Sequence, residues 1–213
     1  MSEIHRLHRF VGVGLLAFFL LCLGVVGCTP ALPAVNEGDV IFQTSRSAQS
    51  QAIQQATGSR YSHMGIILFR EGKPQVFEAA ATVKYTPLGK WIARGEGGHY
   101  VVKRLKDAPP TLTPVALEKL HHAADTFVGK PYDLTFEWSD ERIYCSELVW
   151  KIYDRALGIQ IGKLQKIREF NLDAPAVKQK LRERYGDKVP LDETVISPQA
   201  MFESPLLITV VER

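Results

Sequence analysis

The sequence is poor in cysteine. Its 213 residues hold three, Cys22, Cys28 and Cys145, and the first two fall in an apolar N-terminal stretch. The folded part therefore carries one thiol, which excludes a disulfide framework within the chain. A strong charge of one sign is also missing. Lys and Arg number 26 against 23 Asp and Glu, a formal net charge of +3 that is spread along the chain and makes no case for nucleic acid. There is no internal repeat and no low-complexity run. No pair of His or Cys has the spacing of a metal site, and no motif asks for a cofactor. What remains is globular, with 46% hydrophobic and 23% charged residues in a length that suits one domain plus a targeting segment. A lone thiol in such a domain is either an inert buried cysteine or a reactive group, and its surroundings decide.

The first residues read as targeting sequence. Arg6 and Arg9 form a short basic region, and Phe10 to Gly27 runs without a charge. That length lies between a signal h-region and a minimal membrane span. Val25-Val26-Gly27-Cys28 then resembles the bacterial lipobox, in which the cysteine receives a diacylglyceryl group and the chain is cut before it. On this reading residues 1–27 are a lipoprotein signal peptide, 28–37 a lipidated tether and 38–213 the folded domain, with Cys28 as the lipidation site. Acyl chains on Cys28 hold the domain to a membrane of the cell envelope. Thr29, in place of the Asp that retains some lipoproteins at the inner membrane, points to the outer membrane facing the periplasm in a diderm source. The alternative is an uncleaved single span.

The rest reads as strands followed by helices. Gly38 to Phe42 is a turn and a buried strand, and Ser45 to Ala56 is a short helix stopped near Gly58. Met64 to Phe69 and Gln75 to Ala80 flank turn chemistry at Arg70-Glu71-Gly72-Lys73-Pro74, the pattern of a hairpin. Thr82 to Leu88 and Tyr100 to Leu105 add strands, and Asp107 to Pro114 is a Pro-rich connector. Thr113-Pro114 opens a helix with Leu117, Leu120, Ala124 and Phe127 on one face. Cys145 to Leu157 is a second helix closed by Gly158. Residues 161–172 and 174–185 are helix or loop, Ser197-Pro198 starts a short helix, and Leu206 to Val211 is a last strand. Strands segregated from helices predict an α+β fold.

Cys145 stands at the start of its predicted helix, where free backbone amides and the positive end of the dipole favour a thiolate and can later hold an oxyanion. A cysteine nucleophile also needs a base, usually His. Of the six histidines, His5 and His8 leave with the signal, His121 and His122 are adjacent on a helix and read as solvated, and His99 sits in a loop. His63 is at a strand end, where a rigid element can aim it. Glu78 lies on the partner strand. A turn centred near Gly72 sets the residue opposite His63 near Ala81, with Glu78 about three positions off the direct register. A carboxylate there can accept the second imidazole N–H and fix the tautomer.

The segments Gly38-Asp39-Val40-Ile41, Ser62-His63-Met64-Gly65-Ile66, Phe77-Glu78-Ala79, Gly129-Lys130-Pro131-Tyr132-Asp133 and Tyr144-Cys145-Ser146-Glu147-Leu148-Val149 carry a resemblance. In this order they are similar to the YaeF/YiiX group, a circularly permuted branch of the NlpC-type, papain-like cysteine peptidase superfamily. The match runs from about Gly38 to the C-terminus, including Ser197-Pro198-Gln199. It implies an antiparallel sheet packed against helices, with His and Glu preceding Cys in the chain. It also implies a triad of Cys145, His63 and Glu78, and a Tyr132 hydroxyl near the nucleophile that helps hold the oxyanion. Ser146-Glu147 follows the cysteine where cell-wall peptidases more often carry Ser-Gly.

These readings converge on a membrane-anchored cysteine hydrolase that cleaves amide bonds by acyl transfer, without metal or cofactor. The expected partners are a peptide or cell-wall fragment as substrate and a membrane held through Cys28. Two alternatives stay open: a lipid-directed acyltransferase or hydrolase of the lecithin:retinol acyltransferase type, and a non-catalytic lipoprotein that binds peptides or amino acids.

Overall fold

Short β-branched and aromatic runs, buried on both faces in the central strands, build one six-stranded sheet in the computed structural model, which describes residues 34–213. The expected signal segment 1–27, Cys28 and the first residues of the expected tether lie outside the described residues. The strands of the sheet are β1 (Val40–Gln43), β2 (His63–Arg70), β3 (Lys73–Ala79), β4 (Val83–Pro87), β5 (Val101–Leu105) and β8 (Leu207–Glu212). Their spatial order is β4-β3-β2-β1-β5-β8, and every neighbouring pair is antiparallel. A separate two-stranded ribbon pairs β6 (Gln165–Lys166) with β7 (Thr194–Val195). The helices are α1 (Ala48–Thr57), α2 (Leu88–Arg94), α3 (Ala108–Thr111), α4 (Pro114–Asp125), α5 (Cys145–Leu157), α6 (Pro175–Tyr185) and α7 (Pro198–Phe202). The expected α+β architecture, an antiparallel sheet packed against helices, is what the chain adopts.

The two faces of the sheet do different work. On one, Val40, Phe42, Met64, Ile66, Leu68 and Phe77 join Leu120 and Ala124 of α4 and Leu148, Val149 and Ile152 of α5 in the main core. Each such side chain, fully buried, contributes about 1.5–3 kcal/mol of transfer free energy. On the other face Ile41, Ile67, Val76 and Val102 pack with Leu88 and Trp91 of α2 in a smaller cluster. Successive strand residues point to opposite faces, so β2 and β3 feed both layers at once.

Most boundaries follow from caps. Ser47, Thr113 and Ser197 each accept an amide of the first turn of α1, α4 and α7, and Gly58 and Gly158 close α1 and α5 in the left-handed conformation. Two expectations need correction. Residues 82–88 do not end as strand: at Leu88 the chain turns into α2, which no side-chain cap announces, since its N-cap is Pro87. Residues 161–172, read as helix or loop, hold the short strand β6 and a single 3₁₀ turn, whereas 174–185 is indeed helical as α6.

The β2–β3 hairpin sets His63 against Glu78. Its turn is Glu71-Gly72, both with positive φ (52° and 71°), and Arg70 pairs with Lys73. This is the two-residue connection that suits strand twist. The centre thus falls between Glu71 and Gly72 rather than on Gly72. Ile66 pairs with Phe77, and continuing the register sets Glu78 opposite Gly65 and Ala80, not Ala81, opposite His63. Glu78 is therefore two positions off His63 rather than three. Since strand parity has period two, that single step puts both side chains on the same face.

Candidate active site

His63 opens β2 and Glu78 lies near the end of β3, on the face covered by α2. Gly65 separates them along β2. A Cβ at Gly65 would meet Val76 Cγ1 at 2.5 Å and the Phe77 carbonyl at 2.7 Å, so the side chains across this gap leave no room for a larger residue. His63 Nε2 and Glu78 Oε2 are 2.6 Å apart, the Glu78 side chain is fully buried, and His63 keeps 11% exposure. Glu78 is satisfied on both oxygens. The Thr86 hydroxyl donates to Oε1 at 2.6 Å, and Trp91 Nε1 (3.0 Å) and Arg94 Nη2 (2.5 Å) donate to Oε2. The Trp91 ring stacks on His63 with centroids 5.9 Å apart and 25° between planes. A charge buried with this many donors is fixed in orientation, because any rotation leaves one of them unpaired.

The Cys145 thiol lies near His63, close enough to act on the charge of the imidazole. Cys145 is buried to 2% exposure at the first position of α5. The first intrahelical bond runs from the Leu148 amide to the Tyr144 carbonyl at 2.9 Å, which leaves the amides of Cys145, Ser146 and Glu147 outside the ladder. The residues around Ile196 brace this helix start: Ser146 Oγ donates to the Ile196 carbonyl (2.8 Å) and the Ile196 amide donates to the Tyr144 hydroxyl (3.1 Å).

Electrostatics follow from the contacts. Burial works against a charged His63 and is the largest influence on it. Hydrogen bonds to Cys145 and Glu78, and the charges of both, overcome burial and carry the imidazole from 6.5 to about 9. Burial likewise opposes a charged Glu78, but His63, Thr86 and Arg94 hold it at about 2. The two shifts agree: imidazolium and carboxylate hold each other in charged form.

Tyr132 arrives from the far half of the chain. Its amide donates to the Ala81 carbonyl at 3.1 Å, and the Val83 amide donates to the Lys130 carbonyl at 2.9 Å, so this segment is stitched to the edge of β4. Burial, then the charge of nearby Cys145, pushes the Tyr132 hydroxyl well up, so it stays a proton donor. Gln49 Nε2 donates to that hydroxyl at 2.8 Å, and Arg184 Nη2 donates to Gln49 Oε1 at 2.9 Å. Tyr132 thus accepts from Gln49 and keeps its own proton free. Glu147, two residues after the cysteine, is fully buried and is carried up to about 8, by burial first and against the pull of Lys151. Lys151 Nζ lies 2.7 Å from Glu147 Oε1 but hydrogen-bonds to the Ser139 carbonyl and Asp140 instead.

The structure brings Cys145, His63, Glu78 and Tyr132 together. It adds Thr86, Trp91, Arg94 and Gln49, which sequence reasoning missed. Trp91 and Arg94 ride on α2, whose start carries no signal, and Gln49 is one of several polar residues on α1. His121 needs correction. It is not merely solvated: its Nε2 lies 2.8 Å from Glu37 Oε1 with both side chains about three-quarters buried, at 25% and 24% exposure. His122 is exposed. His99 stacks on Tyr61 with centroids 6.1 Å apart, and its buried Nε2 has no partner.

Two spaces adjoin here, one lined by the thiol and the other by the imidazole. Cys145 lines an apolar cavity of about 120 Å³ walled by Ala52, Ile53, Phe170, Val177, Leu181 and Ile196. His63 lines a polar groove of about 590 Å³ with Ser45, Arg46, Ser62, Arg94 and Tyr132. Gln49, Ile53 and Tyr132 border both.

Comparison with known proteins places this arrangement. Residues 34–211 match the family described as permuted papain-like amidase enzyme, YaeF/YiiX, C92 family. The uncharacterized protein YiiX of Escherichia coli K12 is 52% identical over 192 residues, covering 90% of this chain and 94% of that protein. The crystal structure of YiiX from Escherichia coli O157:H7, described as a metalloprotein, superposes with a TM-score of 0.80 at 54% identity, covering 84% of this chain and 97% of that one. Among the described residues here, no group of three His, Cys, Asp or Glu is placed to hold a metal. Both oxygens of Glu78 are already engaged with donors.

Proposed function

Since the chain belongs to the YaeF/YiiX family of permuted papain-like amidases, we propose that Cys145, His63 and Glu78 carry its amide hydrolysis by acyl transfer. Cys145 Sγ attacks the amide carbon and a C–S bond forms. The oxygen takes up negative charge facing the free amides at the start of α5 and the Tyr132 hydroxyl, an interaction worth about 3–4 kcal/mol per donor in such sites. His63 passes its proton to the nitrogen, the C–N bond breaks and the amine leaves. Water then gives a proton to His63 and attacks the thioester, the C–S bond breaks, and the acid departs. Glu78 holds the imidazole in the tautomer that can do both. The observation that carries this reading is the series of thiol, imidazole and fully buried carboxylate at a helix N-terminus. Cys145→Ala tests it: turnover falls to background while the circular dichroism spectrum and thermal midpoint are kept. Retained turnover would end the proposal.

The substrate reading rests on the cavity. A wall of aliphatic and aromatic side chains beside the nucleophile favours an apolar acyl half, the lipid-directed alternative. A cell-wall peptide is the second reading, favoured by the polar groove beside His63. Either substrate lies within reach of an enzyme anchored in the envelope through Cys28, which the lipobox-like Val25-Val26-Gly27-Cys28 supports. Incubating the full chain with muropeptides, N-acyl amines and phospholipids, and measuring released amines and fatty acids, separates these. Metabolic labelling with an alkynyl fatty acid, lost in Cys28→Ala, tests the anchor.

A further inference from the structure

We infer that the groove beside His63 selects amides whose leaving amine carries an anionic group, a carboxylate or a phosphate, and that Arg46 is the residue that reads it. The inference rests on the amidase reading and deepens it. Direction comes from the chemistry. The acyl group stays on Cys145 after the C–N bond breaks, so the acyl half occupies the side that Cys145 lines, the apolar cavity. The amine must depart where it can take a proton from His63, so the amine half occupies the side that His63 lines, the polar groove.

That groove has an uneven charge. Two guanidinium groups, Arg46 and Arg94, line it and no carboxylate does. Arg94 is committed to Glu78 at 2.5 Å. Arg46 has no carboxylate partner among the described residues: its Nη2 donates to the Gly95 carbonyl at 3.0 Å, a neutral acceptor that fixes the side chain without neutralising it. The remaining N–H groups of its planar fork match a carboxylate or phosphate edge. The start of α1 adds to this. Ser47 is its N-cap, its first turn holds no acidic residue, and Ser45, Ser47 and Gln49 line the same groove. The positive end of that ten-residue helix thus reinforces the Arg46 charge. Ser45 and Ser62 also line the wall, their hydroxyls paired with those of Ser47 and Ser50.

Three amides with one acyl group test this on the full chain: N-decanoyl-L-alanine, N-decanoyl-O-phosphoethanolamine and the neutral N-decanoyl-propylamine. The quantity to read is the ratio of kcat/KM for each anionic amide over the neutral one. For the wild type at least one ratio is well above one, and in Arg46→Met it drops roughly tenfold to a hundredfold, as loss of a charge-assisted contact requires. The anionic amide with the larger ratio tells carboxylate from phosphate. A wild-type preference for the neutral amide, or a ratio that Arg46→Met leaves unchanged, overturns the inference while the amidase reading stands. A purely structural role of Arg46 gives that second result, since all three rates then fall together. If none of the three amides is cleaved, the amidase reading for N-acyl amines fails and this inference falls with it.

Discussion

Two histidine–glutamate pairs occur among the described residues, and they look alike as distances. His63 and Glu78 stand 2.6 Å apart, His121 and Glu37 2.8 Å. Their settings differ. Glu78 is fully buried and takes three further donors, while Glu37 keeps 24% exposure and, among the described residues, takes besides His121 only the Phe69 amide. His63 has the Cys145 thiol nearby and lines a groove. The polar network is what makes one pair a held acid–base device and leaves the other a bond between α4 and the residue preceding Gly38. A hydrogen bond between imidazole and carboxylate is thus weak evidence for catalysis. Burial, completeness of the network and a nearby nucleophile are the stronger signs.

Substitutions can break this contrast. His63→Ala should lower kcat about a thousandfold or more, since it removes proton transfer in both half-reactions, and steady-state kinetics on any cleaved amide reads it. Glu78→Gln comes next. It places an amide among four donors and leaves part of the network unpaired, which costs about 3–5 kcal/mol of stability, read by urea denaturation, together with most of the activity. Tyr132→Phe should lower kcat about a hundredfold with little change in KM, as loss of one oxyanion donor does. His121→Ala should leave kcat/KM within about twofold and cost at most about 1 kcal/mol of stability, the range of a partly exposed pair. An activity loss with His121→Ala comparable to that with His63→Ala would erase the contrast.

The same contrast has a pH signature. Glu78 is held at about 2 in the folded protein against 4.5 unperturbed, so its stabilisation is present above 4.5 and is lost as pH falls toward 2. His63 is held at about 9 against 6.5, so its stabilisation is present below 6.5 and is lost as pH rises through 9. Thermal midpoints across pH should therefore show this pair contributing most between about 4.5 and 6.5. Removing Glu78 removes one of the influences that raise His63, so the alkaline loss in Glu78→Gln starts at lower pH. An unmoved alkaline limb would detach the carboxylate from the imidazole.

Much of the fold is legible in the residues, for local reasons. The caps at Ser47, Thr113 and Ser197 and the left-handed glycines 58 and 158 mark helices that exist, and the helix opening at Cys145 follows from its apolar stripe. The pairing of His63 with Glu78 is in reach, but a turn centre misplaced by half a residue puts them on opposite faces. The two-residue turn at Glu71-Gly72, with Arg70 paired to Lys73, settles that parity. Trp91, Arg94 and Thr86 are out of reach. They meet Glu78 through a short helix with no capping signal and a cross-strand register, neither of which leaves a periodic trace. Gln49 reaches Tyr132 across 83 residues of chain, a contact no local pattern encodes.

The central claim is that the Cys145 sulfur becomes acylated and that His63 is what enables it. Rapid-quench intact mass spectrometry of the full chain with an N-acyl 4-nitroanilide tests it most directly. The account predicts an added acyl mass that maps to Cys145, is absent in Cys145→Ala, and forms far more slowly in His63→Ala than in His121→Ala. Turnover without any acyl mass on Cys145, or equal acylation rates in the two histidine variants, would contradict it.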